Sequence, residues 1–148
     1  MQYPAPCVDH GFNDGDTIRL GPIELTAHVT PGCTAWSFPV RHAGRELHVV
    51  HLCDLTPPPT TPMIDRAAYS NVRADFERSF RRLRSLPVDI WVTTHARAWG
   101  RYRKFQESRS AADPVAPFID REGYARSLDD AEAQLHALLG DQERLSRP

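Results

Sequence analysis

The order of hydrophobic patterns is the feature that most constrains how this chain can fold. Four segments with the two-residue period of half-buried strands come first, followed by a helical, a strand and a second helical pattern. Two amphipathic helices can cover only one face of such a sheet. The sequence therefore predicts an α/β domain with one sheet and two main helices on its outer face, whose other face must be covered from elsewhere.

Turn residues separate the strand patterns. Thr17 to Leu20 predicts a short strand, and Ile23 to His28 alternates apolar with polar residues. The segments TAWSFPVR and RELHVVHLC predict a hairpin around 42–44. Pro39 indicates an irregular or edge strand. After the Pro-rich loop DLTPPPTTPM, the segment VDIWVTTH predicts another strand, with His95 at its C-terminal end.

Two segments have the 3.6-residue period of amphipathic helices. The first is predicted over 70–86 and ends before Pro87. The second begins near Asp120, a typical N-cap residue, and stops at Gly140. The stretch between the last strand and this helix, ARAWGRYRKFQESRSAADPVAP, is predicted to be a loop.

These patterns divide the chain into three parts. Residues 1–13 form an irregular lead-in, 14–140 form the patterned domain, and 141–148 form a frayed tail. No internal repeat is present in the sequence. The 148 residues are therefore expected to make one domain, or a piece of a larger one.

Composition argues against several classes of partner. The formal net charge of −1 gives no global field that would attract nucleic acid or an anionic membrane. The run RAWGRYRKF mixes basic and aromatic residues, as single-stranded nucleic-acid sites do, but it is short and is better explained as a solvated loop. No apolar run is long enough for a transmembrane helix, and the first residues lack a secretory signal. The chain as given is expected to be soluble and, without a visible signal, cytoplasmic, but its compartment stays open.

The three cysteines do not suggest a framework of cross-links. Cys7, Cys33 and Cys53 cannot all pair with one another, and none belongs to a CxxC motif. No activating pattern of charged residues surrounds them. The sequence therefore predicts buried or idle thiols rather than disulfides, a structural zinc site or a catalytic cysteine.

Three segments, taken together, resemble a metallo-β-lactamase in order and spacing: DGDTIRLGPIELTAHVTPGCTAWSF, DFERSFRRLRSLPVDIWVTTH and PFIDREGYARSLDDAEAQLHALL. The resemblance runs from Asp14 to Leu139 and is closest to the subclass whose zinc ligands are all histidine and aspartate. It extends only to the C-terminal half of the family's αββα sandwich. The N-terminal half, which carries the His-x-His-x-Asp-His motif, has no counterpart here. The resemblance implies half of that sandwich, with the family's active site at the edge between the two halves.

The same resemblance implies a degenerate zinc site. His95 matches the family's last zinc histidine, and Asp54 falls where an aspartate bridges two metals in the wider family. The family's ligand histidine in a Gly-His-Thr-Pro-Gly turn is deleted, because only Thr-Pro-Gly remains at 30–32. His28 could replace it if the end of its strand shifts. The candidate metal ligands are therefore His95, Asp54 and His28, while catalytic and substrate-binding residues stay unassigned.

Each candidate also has an ordinary explanation. Asp54 precedes Thr-Pro and could simply form a turn, His95 could be a relic in a loop, and His28 could be a solvent-facing strand residue. His48 and His51 do not add a cluster, because residues three apart on a strand point to opposite faces. Two donors would hold zinc weakly, since a catalytic zinc site uses about three protein ligands.

The uncovered face of the sheet predicts a partner. Exposing several hundred Å² of apolar surface is unfavourable by many kcal/mol, at about 25 cal/mol per Å². A second copy of the chain or a separately encoded N-terminal half could cover it. The residues expected on this face include Ile23, Leu25, Trp36, Phe38, Val50, Leu52 and Ile90.

Three functional hypotheses follow. The chain is a dimeric half-domain derived from a zinc hydrolase, with little or no β-lactamase activity. Alternatively, it is a metal-dependent hydrolase in which two chains pool their ligands and metal-bound hydroxide attacks the substrate. In the third hypothesis, it is a metal-free binding or scaffold module.

Overall fold

The computed structural model describes residues 7–58, 60–63 and 71–146. These residues form one sheet, three α-helices and a short 3₁₀ turn at Ala116–Phe118. The strands are β1 (Thr17–Leu20), β2 (Ile23–Thr30), β3 (Cys33–His42), β4 (Arg45–Leu52) and β5 (Ile90–Thr93), and the helices are α1 (Val72–Arg84), α2 (Arg101–Ser108) and α3 (Arg121–Leu145).

The five strands lie side by side in the order of the sequence. Neighbours among β1 to β4 are antiparallel, whereas β5 runs parallel to β4 after the crossover through α1. The pairing of β2 with β3 ends at Thr26 and Ser37, so the remainder of β3 has only β4 beside it. Pro39 lies in that remainder, where a missing backbone donor is tolerated. β3 is a central strand, but at Pro39 it is paired on one side only, which is the edge position that the proline indicated.

The hydrophobic core lies between one face of the sheet and two helices. Tyr124 ties the helices together, because its hydroxyl donates to the carbonyl of Leu83 at 2.9 Å. Burying each large apolar side chain contributes roughly 1.5–3 kcal/mol. The core includes Ala35, Val50, Leu52 and Trp91 from the sheet, Val72, Phe76, Phe80 and Leu83 from α1, and Tyr124, Leu128, Ala131, Leu135 and Leu139 from α3. The prediction of two main helices covering one face is therefore confirmed.

The opposite face of the sheet, which we call the open face, is also apolar. The strand register places Trp36 opposite Ala27 and Phe38 opposite Val49 on this side. Alternation places Leu20 and Val29 there as well, and these side chains are 70% and 50% exposed. The apolar residues of the open face are Ile18, Leu20, Ile23, Leu25, Ala27, Val29, Trp36, Phe38, Val40, Leu47, Val49, Ile90 and Val92.

Two residues assigned to the open face from the sequence lie on the other side. Val50 and Leu52 pack against the helices, so that prediction was wrong for both. The reason is the two-residue alternation of β4, which can bury either set of its apolar residues. Phe12 from the lead-in also contacts the open face, with its ring centroid 5.3 Å from that of Trp36.

Helical structure extends further than the sequence patterns indicated. Part of the predicted loop is α2, which begins after Gly100 in a left-handed conformation. The last helix begins at the predicted N-cap, Asp120, whose carboxylate accepts from the Gly123 amide. It continues through Gly140 to Leu145, because a single glycine weakens a helix by only about 1 kcal/mol. None of the helices among the described residues is long and apolar enough to span a membrane.

A disulfide joins Cys33 to Cys53, with their Cα atoms 6.0 Å apart. The prediction of unpaired thiols was therefore wrong for these two residues, whereas Cys7 is free and exposed. Continuing the β3–β4 register would place Cys33 opposite Asp54 rather than Cys53. The bond forms because the chain leaves the regular ladder after Leu52. It cross-links the two outer ends of the hairpin.

Removing this cross-link should destabilise the protein. Closing a loop of 20 residues restricts the unfolded chain and contributes about 3 kcal/mol in the loop-entropy model. We expect the double variant Cys33→Ala/Cys53→Ala to lose about that much free energy of unfolding in urea titrations without reductant. Cys7→Ala is the matched control and should behave as the wild type. Equal stability of the double variant and the wild type would contradict the prediction.

Candidate functional site

The ends of β4 and β5 form the edge that carries the candidate site. The two strands are parallel and in register, with Leu52 beside Thr93. Their chains therefore leave the sheet at the same edge, and a residue two positions beyond each strand end lies next to its counterpart. Asp54 and His95 occupy those two positions. The sheet topology thus places these two predicted site residues together.

The two side chains form a solvent-facing pair. The Nε2 atom of His95 lies 3.7 Å from Oδ2 of Asp54, with the side chains 74% and 54% exposed. Oδ1 of Asp54 accepts a hydrogen bond from the Thr56 amide at 3.0 Å, which is the geometry of an Asx turn. Asp54 therefore forms a turn and also faces His95. At this exposure the ion pair contributes little to stability.

Asp54 lies between two adjacent cavities. One, of about 570 Å³, extends from Asp54 and His95 past Trp99 to the start of α3 at Asp120. The other, of about 490 Å³, is bounded by the turn at 31–32, the disulfide and Phe76. The Thr-Pro-Gly turn and the two strand ends therefore meet at one edge of the domain.

His28 is in a different part of the domain. It lies on the helix side of β2 and is buried, with Nε2 at 2.8 Å from the Ser37 hydroxyl. Burial lowers the pKa of His28, the nearby Arg82 lowers it further, and Asp14 partly opposes them. His28 lines a small cavity of about 150 Å³ with these two residues, and not the cavities that contain Asp54. Its role as a metal ligand stays a prediction that requires the end of β2 to shift.

The described part of one chain does not supply a complete zinc site. Among the residues the structure describes, no group of three or more histidine, cysteine, aspartate or glutamate side chains could hold a metal ion. Asp54 and His95 give two donors, whereas catalytic zinc uses about three protein ligands and an open position. His48 and His51 add no further site, because they lie on opposite faces of β4, as their spacing predicted. The residues that the structure describes therefore do not fit a zinc ion by themselves.

Sequence reasoning missed two features at this edge. The first is the disulfide next to Asp54; the turn Ala43-Gly44 lies midway between its cysteines, and that symmetry was an available signal. The second is Lys104, which is fully buried in a segment predicted to be a loop. The sequence signal was that Lys104 is the only lysine of the chain.

No protein-family model matches the sequence. Solved structures of metallo-β-lactamases, however, match the fold. A mutant of FEZ-1 from Legionella gormanii matches with a TM-score of 0.88 and 26% identity, over 95% of this chain and 54% of that one. BJP-1, a subclass B3 enzyme of Bradyrhizobium japonicum, matches with a TM-score of 0.83 and 24% identity, over 98% and 55% of the two chains.

A third match is LRA-12, a class B3 di-zinc metallo-β-lactamase from an Alaskan soil metagenome. Its TM-score is 0.79 at 24% identity, over 91% of this chain and 52% of that one. The chain therefore spans about half the length of the structures it matches. These matches confirm the resemblance found in the sequence, and they confirm that the fold is half of a metallo-β-lactamase sandwich.

The burial of His28 predicts a loss of stability in mild acid. Its folded-state pKa is lowered, so below the unfolded value of 6.5 the unfolded chain binds the proton more readily. Stability should fall as the pH decreases below 6.5, by up to about 1.4 kcal/mol per pH unit. We expect urea titrations between pH 7.5 and 5.5 to show a flatter dependence for His28→Gln. The exposed-site control His136→Gln should follow the wild type, and an unchanged slope in His28→Gln would refute the assignment.

Proposed function

We propose that this protein is a metallo-β-lactamase-like half-domain that forms a homodimer through its open face, and that its zinc site has degenerated. In this proposal it has weak or no β-lactamase activity. The observation that carries the proposal is the apolar open face of the sheet. The proteins that match this fold are about twice as long as this chain.

The open face has the chemistry of an interior surface. Trp36 and Phe38 on it are partly exposed, while Ala27, Leu47 and Val49 are buried but lie outside the core formed with the helices. Contiguous apolar patches of more than a few hundred Å² are rare on soluble monomers and usually mark an interaction surface. The best-supported function of this face is therefore to pack against another apolar layer.

A second copy of the chain is the simplest occupant. The formal net charge of −1 creates little repulsion between two copies. Two-fold symmetric dimers are the commonest oligomers, and the same patch then serves both partners. Two sheets packed face to face, each with helices outside, would reproduce the four-layer order of the sandwich. A separately encoded N-terminal half would satisfy the same surface and remains the alternative occupant.

The Asp54–His95 pair favours a second candidate function. Each chain supplies two donors at one edge of its sheet, so two chains could supply four if their edges meet. In that case the protein would be a metal-dependent hydrolase with ligands pooled across the dimer interface. Zinc is the metal suggested by LRA-12, a di-zinc enzyme. Lowering the pKa of bound water is the chemistry that zinc supplies to hydrolases when it is held in such a site.

A metal-free scaffold is the third candidate. The turn made by Asp54 is a structural role that needs no metal, and the cavity shared by Asp54 and His95 could hold a small molecule directly. This candidate shares the dimer of the main proposal and differs from the pooled-ligand hydrolase only in its response to metal. The dimer and the metal can therefore be tested separately.

Acidic side chains on the open face should break the dimer without unfolding the chain. Leu20 and Val29 are exposed in one chain, so Leu20→Glu/Val29→Glu does not disturb the helix-side core. We expect light scattering to give twice the chain mass for the wild type and the chain mass for this variant. Leu145→Glu, at an exposed position in α3, is the control and should stay dimeric. A well-folded wild-type monomer would rule out the dimer.

Zinc should leave the thermal midpoint of the wild type unchanged under the main proposal, because two exposed donors bind it weakly. The measurement is a thermal unfolding series with increasing zinc. A rise that follows RT ln(1 + [L]/Kd) and disappears in both His95→Ala and Asp54→Ala would favour the pooled-ligand hydrolase instead. His136→Ala removes an exposed histidine away from the site and serves as the control.

A further inference from the structure

Lys104 is an unusual residue in this chain. It is the single lysine among 18 lysine and arginine residues, and it is only 1% exposed. Lysine is almost never fully buried unless it is paired. Taking an ammonium group out of water is costly without a carboxylate and further polar contacts around it. A specific arrangement must therefore compensate for its burial.

That arrangement centres on the carboxylate of Asp120. The Nζ atom of Lys104 donates to Oδ2 of Asp120 at 2.7 Å and lies 5.6 Å from the ring centroid of Trp91. Trp91 donates through Nε1 to the same oxygen at 3.4 Å, and the Gly123 amide donates to Oδ1 at 2.8 Å. Burial opposes the ionisation of Asp120, but the hydrogen bonds from Lys104 and Gly123 outweigh it and lower the pKa.

The cluster of Lys104, Asp120 and Trp91 links the two elements that flank the segment carrying His95. Trp91 is in β5, immediately before this segment at 94–100, and Lys104 is in the first turn of α2, immediately after it. Both side chains converge on one carboxylate of the α3 N-cap. The elements on both sides of the segment are therefore joined to the same carboxylate, that of Asp120.

Within the segment, the backbone hydrogen bonds are all local. The Ala98 amide donates to the carbonyl of His95 at 3.0 Å, the Gly100 amide to that of Arg97 at 3.3 Å, and the Arg101 amide to that of Ala96 at 3.1 Å. Gly100 adopts a left-handed conformation with φ of 69°, which lets the chain turn into α2. Local turns of this kind are weak without a tertiary anchor.

We infer that Lys104 is a positioning residue for His95. By joining α2 to the carboxylate that also receives Trp91, it holds segment 94–100 in place and keeps the imidazole beside Asp54. A lysine suits this position, because a compact ammonium fits between a carboxylate and an aromatic ring, where the planar guanidinium of arginine would need more room. The inference concerns the site of the proposed function, but its test requires neither metal nor a dimer.

The test is native-state hydrogen exchange, read by NMR on full-length protein in metal-free buffer. Lys104→Met keeps the length of the side chain and removes its charge. We expect the exchange rates of the Ala98 and Arg101 amides to increase about tenfold or more, after correction for any increase in the amides of the β2–β3 ladder. The ring signals of His95 should shift or broaden in the same variant.

Two further variants make the result decisive. Arg109→Met is the control, because Arg109 is an exposed basic residue at the far end of α2; its exchange in segment 94–100 should match the wild type. If Lys104→Met does not fold, Asp120→Asn keeps an N-cap oxygen and removes the charge partner, and should give the same local increase. The inference would be overturned if the amides of 94–101 kept their protection, or if they lost no more protection than the amides of the β2–β3 ladder.

Discussion

Apolar side chains on both faces of a single sheet are the constraint on which the other features depend. The helices bury one face, and they leave a second face carrying Trp36, Phe38 and their neighbours. Several hundred Å² of such surface represents on the order of 10 kcal/mol, which is comparable with the whole stability of a domain. A second layer would therefore influence folding as strongly as any internal contact.

The candidate site and the open face belong to the same structural arrangement. The parallel pairing of β4 and β5 places Asp54 and His95 at one edge of the sheet, and the disulfide fixes the end of β4 just before Asp54. A layer packed on the open face would have its own edge close to this one. Covering the apolar surface and bringing further donors to the site would then be a single event, which connects the proposed dimer to the proposed chemistry.

Features with a strong local pattern could be predicted from the sequence. The helix-facing stripes of α1 and α3, the hairpin, the Asp120 cap and the half-fold resemblance were all recovered. The meeting of Asp54 with His95 was implied by family resemblance, and its physical reason, the parallel register, is visible only in the fold.

What the sequence could not provide depends on tertiary placement. Alternation in β4 leaves open which set of residues faces the helices, so Val50 and Leu52 were assigned to the wrong face. The disulfide depends on where the chain leaves the ladder, and the burial of Lys104 depends on α3 presenting Asp120 to α2. Helix α2 was missed because most of its polar and aromatic residues face solvent, which leaves no clear apolar stripe.

The position of His28 determines where a third ligand could come from. Its imidazole is on the helix side of β2, bonded to Ser37, whereas Asp54 and His95 project beyond the end of the sheet. A slip of β2 by one residue would move His28 off the helix side, but it would also turn every neighbouring side chain of that strand to the other face. Buried Ala27 and the pairing with β3 resist such a slip. Donors from a second chain would need no such rearrangement. The complete metal site of the pooled-ligand proposal would therefore depend on a partner more than on His28.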